Sequence, residues 1–246
     1  MKQAIVTGAG AGLGESVALR LHEEGYRVGV LDINKEQADS VVSRLKNAIA
    51  LQADVTLEES VKAAFEAFGE VPDLLVNNAG IVRFGALHEQ SVAEFQQTVN
   101  INLVGVYIAA RTAAIKMIKR GSGNIINMTS VNAISPSPGV GAYPAAKAGV
   151  AKMTEQMAIE WGPLGLRVNS IAPGFIDAGM SVPIYADPKV RALRGGAVPS
   201  KRLGTAEDIT NAVIFLSSEQ ASYINGHQLV VDGGVVNAGM AHLPRE

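Results

Sequence analysis

Apolar and polar positions along the chain fall into two alternating kinds of segment. Short apolar runs rich in β-branched residues occur at Ala4–Thr7, Arg27–Leu31, Ala48–Gln52, Asp73–Asn77, Asn124–Met128, Arg167–Ile171 and Gln228–Val231. They lack the in–out alternation of a half-exposed strand, which suits strands buried on both faces of a parallel sheet. Between them lie helix candidates: Gly12–Glu24, Lys35–Leu45, Leu57–Phe68, Val92–Lys119, Pro144–Trp161 and Ala206–Ser217. Strand and helix in regular succession predict a doubly wound (Rossmann-type) α/β fold, a parallel sheet of about seven strands with helices on both faces. No linker or repeat interrupts the series, so one domain is expected over residues 1–246.

One stretch breaks the rhythm. Residues 174–204 carry Pro183, Pro188 and Pro199 and the adjacent glycines Gly195 and Gly196. The stretch follows the carboxyl end of a strand, where such folds bind ligands, so it is read as a substrate loop or lid. The plainer alternative is a surface excursion.

Composition narrows the chemistry. Apolar residues make up 48% of the 246 positions and charged residues 18%, the balance of a globular chain with a sizeable core. There are no cysteines, which excludes disulfides, thiolate nucleophiles and cysteine-based metal or iron–sulfur sites. His22, His88, His227 and His242 never pair at i, i+4, so no metal site is expected. The net charge of −2 and the lack of a Lys/Arg run argue against nucleic acid as a partner. No uninterrupted apolar run approaches the roughly 20 residues of a membrane span. Met1–Val6 leads straight into strand-like sequence, with no room for a signal peptide. A cytoplasmic protein without a membrane partner is the expectation.

The first strand runs into Thr7-Gly8-Ala9-Gly10-Ala11-Gly12-Leu13-Gly14, and a helix follows. Glycines let a backbone turn tightly against a pyrophosphate, and the free N–H groups of a helix start face the anion. The G-x-G-x-x-G spacing is not met: counting from Gly8 the sixth residue is Leu13, and from Gly10 it is Glu15. A plain glycine-rich turn is therefore the alternative. Asp32, at the end of the second strand, can accept from a ribose diol and would repel a 2′-phosphate. Ala11, Ile33 and Asn34 bring no positive charge, so NAD(H) is favoured over NADP(H). Asp32 could equally be a strand-end turn residue.

Tyr143 and Lys147, at i and i+4, share one face of a helix start, where Pro144 is tolerated. A phenol titrates near 10 in water, but an adjacent ammonium and the positive ring of an oxidised nicotinamide would stabilise its anion. Tyr143 is thus a candidate acid/base. Ser130, at the end of the fifth strand, can bond a substrate oxygen and is not in a G-x-S-x-G elbow.

Together these motifs resemble the classical short-chain dehydrogenase/reductase family over essentially the whole chain. Thr7 to Gly14 matches its T-G-x-x-x-G-x-G, Asp54-Val55 its adenine-contacting pair, and Asn77-Asn78-Ala79-Gly80 its N-N-A-G. Asn102 falls on its helix asparagine, and Ser130 precedes Tyr143 at the family's usual spacing. Pro173-Gly174 and Val231-Asp232-Gly233-Gly234 complete the series. The resemblance implies NAD as cofactor, held by Gly8, Gly10, Gly12, Leu13, Gly14, Asp32, Asp54, Val55, Asn78, Tyr143, Lys147 and the backbone near Ile176 or Ser181. It implies that Ser130 positions the carbonyl, that Tyr143 is the acid/base, that Lys147 holds the ribose and lowers the tyrosine pKa, and that Asn102 anchors a relay water. Asn100 and Asn102 could instead satisfy buried backbone groups. Ala178 stands where the family often has a threonine touching the nicotinamide, and Asn225 where threonine is common.

The implied activity is NAD(H)-dependent interconversion of a secondary alcohol and a ketone. The alternatives are a 3-oxoacyl-thioester reductase and a non-catalytic NAD(H)-binding module; a sugar-nucleotide epimerase fits poorly without a second lobe. Val82, Arg83, Ala133, Ile134 and Tyr185 are candidate pocket residues, and Lys189, Arg191 and Arg194 could meet an anionic substrate or simply be solvated. The family implies a homotetramer or homodimer, for which Val99, Leu103, Val106 and Ala110 offer an apolar helix face.

Overall fold

The computed structural model describes residues 1–242, so the last four residues of the expected domain lie outside it. Seven strands form one sheet: β1 (Gln3–Thr7), β2 (Arg27–Asp32), β3 (Ala48–Gln52), β4 (Leu74–Asn77), β5 (Gly123–Met128), β6 (Leu166–Pro173) and β7 (Gln228–Val231). Their order is β3-β2-β1-β4-β5-β6-β7, and every pair is parallel. The chain runs outward from β1 to β3, then returns to lay β4 against the other side of β1. That reversal opens a crevice at the carboxyl ends of β1 and β4, the place where ligands enter open α/β sheets.

Both faces of the sheet are buried. Helices α1 (Gly12–Glu23), α2 (Lys35–Val42) and α9 (Ala206–Ser217) pack on one face, with Val6, Val17, Leu21, Val28, Val41, Val213 and Leu216 in that core. Helices α3 (Glu58–Phe68), α5 (Gly105–Arg120) and α6 (Tyr143–Trp161) pack on the other, around Ile5, Phe65, Phe68, Leu75, Met117, Ile125 and Met157. Ile5 and Val6 are neighbours yet enter opposite cores, because successive strand side chains point to opposite faces. This is why the strands read as unbroken apolar runs.

The expected helix Val92–Lys119 is three pieces. α4 (Val92–Val99) starts with a Ser91/Glu94 capping box, a π-helical turn covers Asn100–Val104, and α5 continues to Arg120. Together they are long and apolar enough to cross a membrane by length and composition, but half of the apolar window is buried inside the fold. The apolar face anticipated for assembly is also largely internal: Val106 and Ala110 are buried in the core. Outward apolar positions include Val92, Phe95, Val104, Tyr107 and Ile115, the last three at 38%, 46% and 44% exposure. The π-turn holds an extra residue per turn, so a stripe drawn through it at 3.6-residue spacing changes face.

Residues 174–204 are more regular than expected. They contain a 3₁₀ turn (Gly179–Ser181), α7 (Val182–Tyr185) and α8 (Pro188–Ala197). Pro183 and Pro188 stand in first turns, where a missing N–H costs nothing, so they start helices rather than break structure. A bridge closes the base of this segment: Gly204 N–H donates to Phe175 C=O at 2.9 Å, and Asp177 N–H donates to Gly204 C=O at 2.8 Å.

Candidate active site

The turn from β1 into α1 is built on close approach. Gly8 and Gly12 hold left-handed φ values of +62° and +61°. A Cβ on Gly14 would lie 2.1 Å from the Gly8 carbonyl oxygen, and one on Gly10 would lie 2.9 Å from the Asp32 carboxylate carbon. α1 begins at Ala11 with no side-chain cap. Among the described residues the amides of Gly12, Leu13 and Gly14 have no acceptor, as an anion-receiving helix start requires.

This turn borders a cleft of about 580 Å³ lined by Gly8, Gly12, Asp32, Asp54, Val55 and Asn78 among others, and by no Lys or Arg among the described residues. Asp32 Oδ2 accepts from Gly10 N–H at 2.8 Å and Oδ1 from Asn34 N–H at 2.9 Å. Asp32 therefore does organise the turn, as its plainer reading has it, while still lining the cleft. Asp54 accepts from the Thr56 amide and hydroxyl through Oδ1. Gly10 and Gly14 line neither this cleft nor the next; their part is the tight packing of the turn. The uncapped amides and the two carboxylates fit a dinucleotide.

A second cleft, of about 480 Å³, meets the first at Asn78 and Gly80. Leu13, Ser130, Tyr143, Lys147 and Ala178 all line it. Ser130 ends the β5 segment and caps a 3₁₀ turn, its Oγ accepting from Asn132 N–H at 3.1 Å. Tyr143 opens α6, and one turn later the buried Lys147 donates from Nζ to the Met128 carbonyl at 2.7 Å. The same Nζ lies 5.7 Å from the centre of the Tyr143 ring. Asn102, wholly buried in the π-turn, donates to the carbonyls of Ile81 and Thr98, each at 2.9 Å, and accepts from Ile81 N–H at 3.2 Å. Its side chain performs the alternative role, satisfying buried backbone. A Cβ on Gly80 would lie 2.5 Å from Asn102 Oδ1 and 3.5 Å from Lys147 Nζ, so a single glycine backbone separates them.

Burial pushes both titrating groups toward neutrality. It raises the Tyr143 phenol, with the Ser130 hydroxyl opposing part of the rise. It pushes the Lys147 ammonium down to about 8. The Lys147 ammonium is itself desolvated and engaged by the Met128 carbonyl.

Ile176 lines neither cleft; its side chain sits in the core. The bridge to Gly204 uses the carbonyl before it and the amide after it, and its own N–H has no partner among the described residues. Of the anticipated pocket residues, Val82, Tyr185 and Arg194 line the second cleft. Ala133, Ile134, Lys189 and Arg191 do not, and Arg83 is turned to Gln97 Oε1 at 2.8 Å. Sequence reasoning missed Phe84, Asn132, the loop Ser137–Val140 and Phe175. The loop carried a signal, Pro138-Gly139 just before the Tyr143 helix; the others carried none.

Comparison with known proteins settles the family. A protein-family model described as enoyl-(acyl carrier protein) reductase matches residues 8–236. The chain is a classical short-chain dehydrogenase/reductase. It is similar to the 3-oxoacyl-(acyl-carrier-protein) reductase FabG of Staphylococcus epidermidis, 39% identical over 95% of this chain and 98% of that one. It is 38% identical to 3beta-hydroxysteroid dehydrogenase 1 of Eggerthella lenta, over 95% of this chain and 93% of the relative. Among solved structures, the 3-ketoacyl-(acyl-carrier-protein) reductase of Brucella melitensis complexed with NADH superposes with a TM-score of 0.89. It shares 34% identity, covering 96% of this chain and 98% of that one. This family membership makes the chain an oxidoreductase and agrees with its seven-stranded sheet.

The depressed Lys147 value has a consequence for stability. Between about 8 and the ordinary 10.5 the unfolded lysine binds a proton that the folded one does not, so folding is penalised below pH 8 and relieved as pH rises. At 1.36 kcal/mol per pH unit, native protein should gain about 2 kcal/mol on Lys147→Met between pH 7 and 9.5. Denaturant titrations of both proteins check this; parallel pH profiles would show that Lys147 folds at its ordinary pKa.

Proposed function

We propose that this short-chain dehydrogenase/reductase interconverts a secondary alcohol and a ketone with NAD(H). The observation that carries the reading is the convergence of Ser130, Tyr143 and Lys147 on a cleft adjoining the dinucleotide-fitting one. A bound nicotinamide supplies the hydride acceptor or donor and, when oxidised, a positive charge. Ser130 Oγ accepts from Asn132 N–H beside the Tyr143 phenol, and its hydroxyl proton fixes the substrate oxygen once substrate is bound. Tyr143 takes the alcohol proton in oxidation and returns it in reduction. Lys147 holds the nicotinamide ribose and stabilises the phenolate, and Asn102 belongs to the proton relay through its place against Gly80. The turn from Gly8 to Gly14, Leu13 included, receives the pyrophosphate, Asp32 the ribose diol, Asp54 and Val55 the adenine, and Asn78 lies along the cofactor. With no hydroxyl at Ala178, the carboxamide is held by backbone near Ile176 or by Ser181, which lines the second cleft.

The 39% identity to a 3-oxoacyl-(acyl-carrier-protein) reductase favours a second reading, reduction of a 3-oxoacyl thioester. A non-catalytic NAD(H)-binding module would not need Asn102, Ser130, Tyr143 and Lys147 together. We further read residues 1–246 as one catalytic domain, working in the cytoplasm as a homotetramer or homodimer. The outward Val104, Tyr107 and Ile115 support the assembly.

Three measurements test these statements. Tyr143→Phe should cut turnover by at least 10²-fold, the lower end for acid–base catalysis, and leave NADH binding nearly intact. A variant retaining more than a tenth of the native rate removes Tyr143 from the chemistry. NAD(H) should exceed NADP(H) at least tenfold in kcat/KM, because Asp32 faces the 2′-phosphate position and no cation lines that cleft. Equal or better use of NADP⁺ would overturn that role for Asp32. Light scattering at micromolar concentration should give a mass above the 25.7 kDa of one chain; a monomer would refute the assembly.

A further inference from the structure

We infer that the substrate carries a carboxylate, received by Arg194 of the lid. The inference rests on the reading that the second cleft holds the reacting alcohol or ketone, and it names that substrate's class. Among the described residues, two cations, Lys147 and Arg194, and no Asp or Glu line the cleft. Lys147 is engaged with Met128 beside the phenol. Arg194 is the cation left over.

Arg191 and Arg202 in the same segment are already matched, and Lys189 lies outside the cleft. Arg191 pairs with Asp177 at 2.6 Å, and Arg202 with Asp208 at 2.6 Å. The Arg194 guanidinium has no ion-pair or hydrogen-bond partner among the described residues. Two aromatic faces hold it instead: the Phe175 and Tyr185 ring centres lie 5.4 and 5.9 Å from its central carbon. Both rings line the same cleft, and Tyr185 is buried. Cation–π contact fixes the plane of a guanidinium and leaves its N–H edge open. A half-buried cation with open donors calls for an anion, and the planar fork matches a carboxylate with two parallel hydrogen bonds. Arg194 stands on α8, so a carboxylate that pairs with it also ties the lid to the substrate.

The test compares 2-, 3- and 4-hydroxy acids with their methyl esters and with phosphate monoesters of similar length, following NADH formation. For at least one chain length the native enzyme should favour the acid over the ester by about 10–100-fold in kcat/KM, the range of charge-assisted hydrogen bonds. Arg194→Gln should reduce that ratio to near unity through KM, and Arg194→Lys should keep part of it. Esters used as well as acids, a ratio unmoved in Arg194→Gln, or better use of the phosphate monoesters would each overturn the inference. The native ratio does not depend on whether any variant folds. Calorimetric titration of 3-hydroxybutyrate into the NADH complex separates the two readings. Binding lost in Arg194→Gln without turnover of any alcohol would leave the carboxylate site standing and refute the redox reading. No binding and no acid preference in the native enzyme would refute the carboxylate site alone.

Discussion

The site depends on how β1 and β4 are joined at their carboxyl ends. Strand order reverses there, so the loops diverge and side chains must stitch what the ladder cannot. The Thr7 hydroxyl accepts from the amides of Asn78 and Ala79, each at 3.1 Å. The Asn78 side chain returns two bonds, to the carbonyls of Thr7 at 3.1 Å and Gly8 at 3.0 Å. Against that seam α1 can seat only because Gly8 and Gly14 lack side chains; a Cβ on Gly8 would lie 2.8 Å from Ala79 Cα. Both clefts open from this point. Asn78 is thus structural first, and the same bonds place it where the two clefts meet.

Much of this was legible in the sequence, for identifiable reasons. The strands were visible because residues such as Ile5 and Val6 are apolar on both faces, and the glycine turn because close approach tolerates few residues. The π-turn at Asn100–Val104 was not visible, since helical composition continues across an inserted residue. The helices of residues 182–197 were hidden behind prolines that read as breakers. Lys189, Arg191 and Arg194 were equivalent in sequence; only their partners distinguish them, and partners such as Asp177 and Phe175 come from the preceding loop. The direction of the Tyr143 shift was also out of reach, because spacing shows which groups meet and burial decides what each costs to charge.

Desolvation brings the two central titrating groups toward the same condition. Tyr143 resists losing its proton and Lys147 holds its own weakly, near 8, so the chain alone disfavours charge in this cleft. A pair this little screened responds strongly to any charge brought beside it. That sensitivity suits a site where charge arrives with a cofactor and a substrate. It also explains why a carboxylate neighbour for the phenol would be harmful, and why none lines the cleft.

The strand order also bears on how the chain reaches its native state. β1 is central, yet its partner on one side is β4; Gln3 and Asp73, hydrogen-bonded across that join, are 70 positions apart. While the chain is being made, β2 and β3 can pair in succession, but one flank of β1 stays bare until β4 emerges. That flank is an apolar strand with open N–H and C=O groups, able to template pairing with another chain. The nascent first third therefore carries an edge open to misassociation, and the arrival of Leu74–Asn77 both seals it and creates the crevice from which the two clefts open.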